Sequence, residues 1–180
     1  MKIGTKSILF GVHQFLWHPI TVLIAWVYLY RKFPNWKECI CIIIHDWGYW
    51  GVDNIDGEEG EKHPEWAANI VKILFGIYYY KLCLYHSRHY AKNEKEEPSI
   101  LCWADKFSIV FDPYFFYIIR ATISGEIVEL RKTTADAGFI KMSATNKEWF
   151  AWVYTLMSTV AKEQRGDAAP YVNPERNNHE

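Results

Sequence analysis

The stretch that decides the interpretation of this chain is Cys39-Ile40-Cys41-Ile42-Ile43-Ile44-His45-Asp46-Trp47-Gly48-Tyr49-Trp50-Gly51. Its apolar run predicts a buried element, and His45 and Asp46 stand at the end of that run. Burying an imidazole beside a carboxylate costs free energy unless both groups have partners. A divalent cation would offset this cost, because neutral imidazole and carboxylate are among its preferred ligands. The pair therefore predicts a metal site.

Length and composition indicate one domain. A chain of 180 residues can bury a sizeable core, and its nine Trp and twelve Tyr supply rings that fill gaps between helices. The formal net charge is −1 and no large basic block is present, so we expect no nucleic-acid partner. The four cysteines lie in apolar stretches without a CxxC pair, which predicts buried free thiols in a reducing compartment.

The N-terminal region indicates a cytoplasmic protein with no membrane partner. The apolar segment at residues 20–30 is too short to cross a bilayer, and extending it backward would bury His13, Gln14 and His18. The first residues carry two lysines but lack a signal-peptide pattern with a small-residue cleavage site.

Helical spacing dominates the chain and strand signals are too few for a central sheet, which predicts an all-α fold. We expect one helical domain at residues 1–166, with its core at about 10–120, and a disordered tail at 167–180. Residues 123–130 fit either a short strand pair or another helix. The predicted helices cover residues 18–30, 36–46, 63–75, 78–89, 98–120 and 146–162, with a glycine-rich acidic loop at 47–62.

Further ligand-type residues lie at predicted helix ends or on core-facing positions. Together with the opening pair the set is His18, His45, Asp46, His63, His86 and Asp105. Six nitrogen and oxygen ligands exceed the needs of one tetrahedral zinc and suit two octahedral ions bridged by Asp46. A bridging water would then have a lowered pKa and act as a hydroxide nucleophile. The ions could be iron, manganese, cobalt or zinc.

Two alternatives concern this ligand set. His13 competes with His18 as the first ligand; otherwise it would line the pocket beside Gln14. One ion alone would need only His18, His45, Asp46 and Asp105, which would leave the other two histidines without a metal role.

The ordered pattern of these six residues resembles that of the HD-domain metalloprotein superfamily. The resemblance covers roughly residues 10–112 and includes the phrases HPEWAANI at His63 and LCWADKFS around Asp105. It implies a five-helix core that carries the metal site, here followed by a C-terminal helix. Most members are phosphohydrolases, many of them acting on nucleotides. A minority are di-iron oxygenases that use the same six ligands.

Tyr49 separates the chain from two branches of that superfamily. It replaces the lysine of the HDIGK motif found in many cyclic-nucleotide phosphodiesterases. It also replaces the glutamate that follows the aspartate by three residues in many one-metal nucleotidases. The resemblance therefore implies the superfamily's general chemistry without either narrow assignment.

Cationic residues beside the predicted ligands suggest a phosphate-binding rim. Arg88, His89 and Lys106 would contact the substrate phosphate, since a guanidinium fork and an ammonium both bind phosphate oxygens. The alternative is that they form salt bridges to the acidic loop. The aromatic residues near the predicted ligands either stack on a base or fill the core; they are Trp17, Trp47, Tyr49 and Trp50.

These observations together predict a metal-dependent phosphohydrolase acting on a nucleotide or a similar small phosphate ester. Asp46, Arg88, Lys106 and His89 would form its catalytic set. The alternatives are a di-iron oxygenase and a non-catalytic nucleotide sensor. The sequence leaves the oligomeric state open, a homo-oligomer included.

Overall fold

The computed structural model describes residues 1–164, and every regular element in this range is helical. The prediction of an all-α fold is confirmed, whereas the predicted tail at 167–180 lies outside the described residues. The helices are α1 (Ile3–Phe10), α2 (Trp17–Tyr30), α3 (Trp36–Ile44), α4 (Glu58–Glu61), α5 (His63–Phe75), α6 (Ile77–Leu84), α7 (Arg88–Asn93), α8 (Ile100–Phe107), α9 (Tyr114–Ser124), α10 (Glu126–Asp136) and α11 (Asn146–Gln164). Short 3-10 turns cover Trp47–Tyr49 and Ser108–Phe111.

Local sequence signals explain where several helices begin. Asn35 caps α3: its side chain accepts the N–H groups of Lys37 and Glu38 at 2.9 and 3.0 Å. The Glu38 carboxylate accepts the Asn35 N–H in return at 2.7 Å, which completes a capping box. Ser99 caps α8 by accepting the N–H of Cys102 at 3.3 Å. The predicted start of α3 at Trp36 is therefore confirmed, whereas α8 begins at Ile100, two residues after its predicted start.

Two predicted helices are wrong because the chain breaks inside them. The helix at 78–89 is split after Leu84, since Ser87 has an extended backbone and its Oγ accepts the His89 N–H at 3.2 Å to cap α7. The helix at 98–120 is split between α8 and α9. Pro113 disfavours helical backbone at the preceding residue, and Asp112 is extended there with φ −97° and ψ 117°.

Smaller corrections concern two loops. The helix predicted at 36–46 ends at Ile44, which leaves His45 and Asp46 in the following turn. The predicted loop at 47–62 contains a 3-10 turn and the single-turn helix α4. The undecided segment at 123–130 is helical, with α9 and α10 separated at Gly125, where φ is +93°.

The core is divided into a larger and a smaller cluster. The larger cluster joins α2, α3, α5, α6 and α8 through buried side chains that include Val22, Trp26, Cys41, Val71, Leu84 and Leu101. The smaller cluster joins α9, α10 and α11 through Tyr117, Ala121, Ile127, Trp149 and Phe150. All four cysteines are free, and three of them are buried, as predicted; Cys39 is half-buried. Within residues 1–164, no helix combines the length and apolar character needed to cross a membrane.

Candidate metal centre

The six predicted ligands converge in two groups that share one carboxylate. The first group contains His18, His45, Asp46 and Asp105, and the second contains Asp46, His63 and His86. Within each group, one potential ligand atom from every residue lies within 4.8 Å of those of the others. These side chains come from α2, the turn after α3, the start of α5, the turn after α6, and α8. Buried His and Asp side chains that could hold a metal ion are thus present where the sequence predicted them.

The first group brings two imidazoles against two carboxylates. His18 Nε2 lies 3.0 Å from Asp46 Oδ2 and 3.0 Å from Asp105 Oδ1. His45 Nε2 lies 3.2 and 3.6 Å from the same two oxygen atoms. The side chain of Asp105 is 20 % exposed, whereas those of the other three are at most 8 % exposed. Access to this group from solvent is therefore on the Asp105 side.

The second group places two imidazole nitrogens in direct opposition. His63 Nδ1 donates to the Gly60 carbonyl at 2.7 Å, and His86 Nδ1 donates to the Cys83 carbonyl. The two Nε2 atoms lie 2.9 Å apart, each 3.6 Å from Asp46 Oδ1. A carbonyl can only accept, so both Nδ1 atoms carry the proton, and two neutral rings would direct lone pairs at each other. A cation between the nitrogens removes this repulsion.

Backbone contacts also orient the first group. His45 Nδ1 donates to the Ile42 carbonyl at 2.8 Å, which turns Nε2 toward the carboxylates. Such contacts behind a ligand are typical of metal-binding histidines. The buried atoms Nε2 of His18, Nε2 of His45 and Oδ2 of Asp46 have no geometrically acceptable hydrogen-bond partner among the described residues. Unpartnered buried polar atoms are costly, so this donor set fits a metal ion.

The electrostatics of the cluster favour ionised carboxylates. Burial opposes ionisation, but nearby imidazoles outweigh it and hold the pKa values of Asp46 and Asp105 well below their usual range. Burial and the neighbouring His86 imidazole hold the pKa of His63 well below its usual value. Burial also opposes charge on His45, yet Asp46 and Asp105 raise its pKa well above its usual value. Three of the ligands therefore already favour the ionisation state that a metal requires, whereas at His45 a metal would compete with a proton.

Tyr49 packs inside the site instead of at its mouth. Its ring stacks on His63 with a centroid distance of 3.9 Å and contacts the ring of His13 at 4.9 Å. The side chain is buried and belongs to a small apolar cluster with Ile8 and Ile55. Of the two interpretations of this ring, Tyr49 fills the core, and it supports His63 by packing against it.

The three predicted cations occupy different surroundings. Burial raises the pKa of the Cys102 thiol to about 11, and the positive charges of Lys106 and Arg88 counteract that rise, so both cations lie near this part of α8. Neither forms an ion pair with a residue in the described range, so the alternative of salt bridges to the acidic loop is not what the structure contains. His89 is exposed, and its Nε2 lies 2.8 Å from the Asn93 amide nitrogen.

No sequence pattern indicated that His13 pairs with a buried carboxylate. His13 is not a member of either ligand group. Its ring lies 5.4 Å from that of His18, and its Nδ1 donates to Glu126 Oε1 at 3.0 Å. Burial opposes charge on the ring, but the carboxylates of Asp46 and Glu126 raise the pKa of His13 to about 9. His18 is thus the residue that the structure brings to the first group, and His13 lies beside it as a charged neighbour.

Glu126 is fully buried, and both of its carboxylate oxygens accept hydrogen bonds. The Val12 N–H donates to its Oε2 at 2.8 Å, the Ser7 hydroxyl donates to its Oε1 at 2.5 Å, and Ser124 also donates to it. A Cβ at residue 11 would lie 2.6 Å from the Ser7 Cα and 2.2 Å from Glu126 Oε2, so glycine is required at Gly11. This carboxylate is separated from His13 by 113 residues in sequence, so no local pattern could have identified the pair.

A second contact fixes the same loop from α9. The Arg120 guanidinium donates to the carbonyls of Gly11 and Val12 at 2.9 and 3.2 Å and pairs with Asp112. The Asp112 carboxylate also accepts from the Trp17 indole at 3.3 Å. The loop that carries His13 is therefore held by α9 and α10 together.

Comparisons of the chain with protein-family models, with curated proteins and with solved structures found no match.

Proposed function

We propose that this chain is an HD-type, metal-dependent phosphohydrolase that acts on a nucleotide or a similar small phosphate ester. The observation that carries the proposal is the position of Asp46. One of its oxygens faces the His18–His45 pair and the other faces the His63–His86 pair. A carboxylate shared in this way suits two divalent ions, for which manganese, iron, cobalt and zinc are the candidates.

Bound divalent ions would supply a coordinated water of lowered pKa and would polarise a phosphoryl oxygen. The protein's part is to hold the ligands at fixed positions and to exclude bulk water from most of the cluster. Four of the ligands are held by a backbone carbonyl or by a carboxylate behind or beside the ring. Asp105 is the most exposed ligand, and a substrate would approach on its side.

His13 is the group that we assign to a direct substrate contact. Its Nδ1 is directed at Glu126, and its Nε2 has no partner among the described residues. The imidazolium is stabilised by a buried carboxylate, so Nε2 holds a proton beside the ligand cluster. That proton could be donated to an oxygen of the substrate that becomes negatively charged.

Arg88 and Lys106 complete the proposed site as phosphate contacts. Lys106 follows Asp105 directly and is half-buried, whereas Arg88 is exposed at the start of α7. Both lack an ion-pair partner in the part of the chain that the structure describes, so their charge is free to offset that of a phosphate. His89 contributes less, because its ring already contacts Asn93.

The test is a metal-by-substrate assay. The purified protein is loaded with manganese, iron, cobalt or zinc, its metal content is counted, and release of phosphate or nucleoside is followed over a nucleotide panel. Turnover with two bound ions per chain supports the proposal. No release under any metal overturns it: substrate-dependent oxygen uptake by the iron form then favours a di-iron oxygenase, and tight nucleotide binding without turnover favours a sensor.

A further inference from the structure

A cavity of about 640 Å³ lies next to the metal centre without including any of its ligands. One wall is formed by α1 and the loop after it, and the other by the turn after Asp46 and the start of α5. The lining residues are Ile8, Leu9, Phe15, Trp47, Gly48, Trp50, Lys62 and Trp66. Trp47 follows Asp46 and Lys62 precedes His63, so the ligand-bearing backbone lies behind the cavity. A volume of this size is in the range of small-molecule sites.

Three indole rings around the cavity are left open to solvent. Trp47 is 39 %, Trp50 is 61 % and Trp66 is 45 % exposed. The rings of Trp47 and Trp66 are stacked, with centroids 5.9 Å apart and planes 28° apart. Large aromatic surfaces gathered at one concave place typically mark a binding site, because a protein would otherwise bury them.

The floor of the cavity is held rigidly. A Cβ at Gly48 would lie 1.9 Å from the His63 carbonyl oxygen, so the two segments meet backbone to backbone at this point. Trp47 and Trp66, which flank this contact, are therefore fixed relative to each other. The wall is therefore formed before a ligand binds, which lowers the entropic cost of binding.

All polar side-chain groups that line the cavity are donors. The lining residues that carry these groups are Trp47, Trp50 and Trp66, whose indole N–H groups have no hydrogen-bond partner among the described residues, and Lys62. Lys62 contacts only Glu58, at 3.3 Å, and both side chains of this pair are more than half exposed. Such an ion pair is weak and easily exchanged. No lining side chain accepts a hydrogen bond, which disfavours a nucleobase, whose amino group would be left unpaired.

We infer that this cavity binds an aromatic carboxylate, a planar apolar ring system that carries one anionic group. The rings provide the stacking surface, and Lys62 with the indole N–H groups provides donors for the anion. The inference does not depend on the proposed phosphohydrolase activity, because the cavity contains no metal ligand. It assigns the chain a second ligand site beside the metal centre.

The probe is 2-naphthoate, titrated into the intact protein by calorimetry and by tryptophan fluorescence. We expect saturable binding of one molecule per chain. Trp66→Ala should weaken it by about tenfold or more, since a stacking face is lost. Lys62→Gln should weaken the binding of 2-naphthoate by several-fold, because the ammonium that pairs with the ligand carboxylate is lost. Binding of the neutral 2-naphthamide should be unchanged.

Trp36→Ala is the matched control. Trp36 is 64 % exposed but packs against Phe75, away from the cavity, so its loss should not change the affinity. If Trp66→Ala fails to fold, Trp50→Ala provides the same comparison. The inference is overturned if binding is not saturable, or if the Trp66 and Trp36 variants bind alike. It is also overturned if sedimentation shows a dimer that Trp66→Ala dissociates while 2-naphthoate does not bind, since a second copy of the chain would then cover the cavity.

Discussion

At the scale of single residues, Asp46 connects the two candidate ligand groups. It is the single side chain common to both ligand groups, and it is almost completely buried. Neighbouring imidazoles keep its pKa low in spite of burial, so its negative charge is present to hold cations together. Every other ligand serves one group only.

Asp46→Ala should therefore abolish metal binding at both positions and leave the helices intact. Elemental analysis should give close to zero ions per folded chain, while circular dichroism stays helical. Asp53→Ala is the control, because Asp53 is exposed and pairs only with exposed Lys2. Unchanged metal content in the Asp46 variant would refute the site assignment.

His63 and His86 separate a one-ion site from a two-ion site. If the second group binds its own ion, His63→Ala or His86→Ala should lower the metal content from about two to about one per chain, because the remaining ligands hold an octahedral ion mainly through water. His89→Ala should retain the full content, since His89 lies outside both groups. If both variants keep the wild-type content, a single ion is the better description.

The six ligands could be predicted from residue types and order, but the network behind His13 could not. The candidate ligands can be recognised in the sequence because a polar, titratable side chain is unusual in an apolar stretch, as at His45. Glu126 looks like any charged residue at a helix start, and only folding brings it to His13. The sequence therefore indicated which side chains could bind a metal ion, but it gave no sign of the carboxylate that contacts His13.

At the scale of elements, helix ends determine where the ligands stand. His45 and Asp46 follow α3, and His86 follows α6, in turns where the side chain is not committed to a helix face. Periodicity predicted continuous helices through two such places, because a break such as that at Ser87 depends on a single cap and not on the apolar pattern. The predicted helix starts were more reliable, since caps such as Asn35 are visible in sequence.

The capping box on α3 is expected to contribute measurably to stability. Asn35→Ala removes both side-chain contacts to the first turn and should cost about 1 kcal/mol of unfolding free energy. Urea denaturation followed by circular dichroism measures it. Asn69→Ala, a change at an exposed position in the middle of α5, is the reference and should cost nothing, because alanine favours a helix interior.

The α9–α10 hairpin contributes to the site through Glu126. Glu126→Gln should lower kcat more than it raises KM, because the substitution weakens the charge on His13 while the metal ligands remain in place. Metal content should be unchanged. Glu129→Gln is the matched control on the same helix, since Glu129 accepts only from the Ile55 region and does not contact His13. Equal kcat values for the two variants would remove His13 from the proposed mechanism.

At the scale of the whole molecule, the candidate metal centre connects five segments that also build the larger core. Metal binding should therefore be coupled to global unfolding. At a free metal concentration one hundred times Kd, the stabilisation is about 2.7 kcal/mol per site, or roughly 5–10 °C in Tm. Thermal unfolding with and without a chelator measures the shift, and the Asp46→Ala variant should show none. A chelator-insensitive Tm in the wild type would contradict this coupling.

The separation in sequence between the candidate ligands and Glu126 also sets the order in which they are synthesised. During synthesis the last ligand, Asp105, is made 21 residues before Glu126, and His13 is among the first residues made. A nascent chain thus possesses its complete ligand set while the loop at residues 11–16 still lacks its anchor. If the proposed function holds, metal acquisition and the charging of His13 are separable events, and the α9–α10 hairpin supplies the last part of the site to be synthesised.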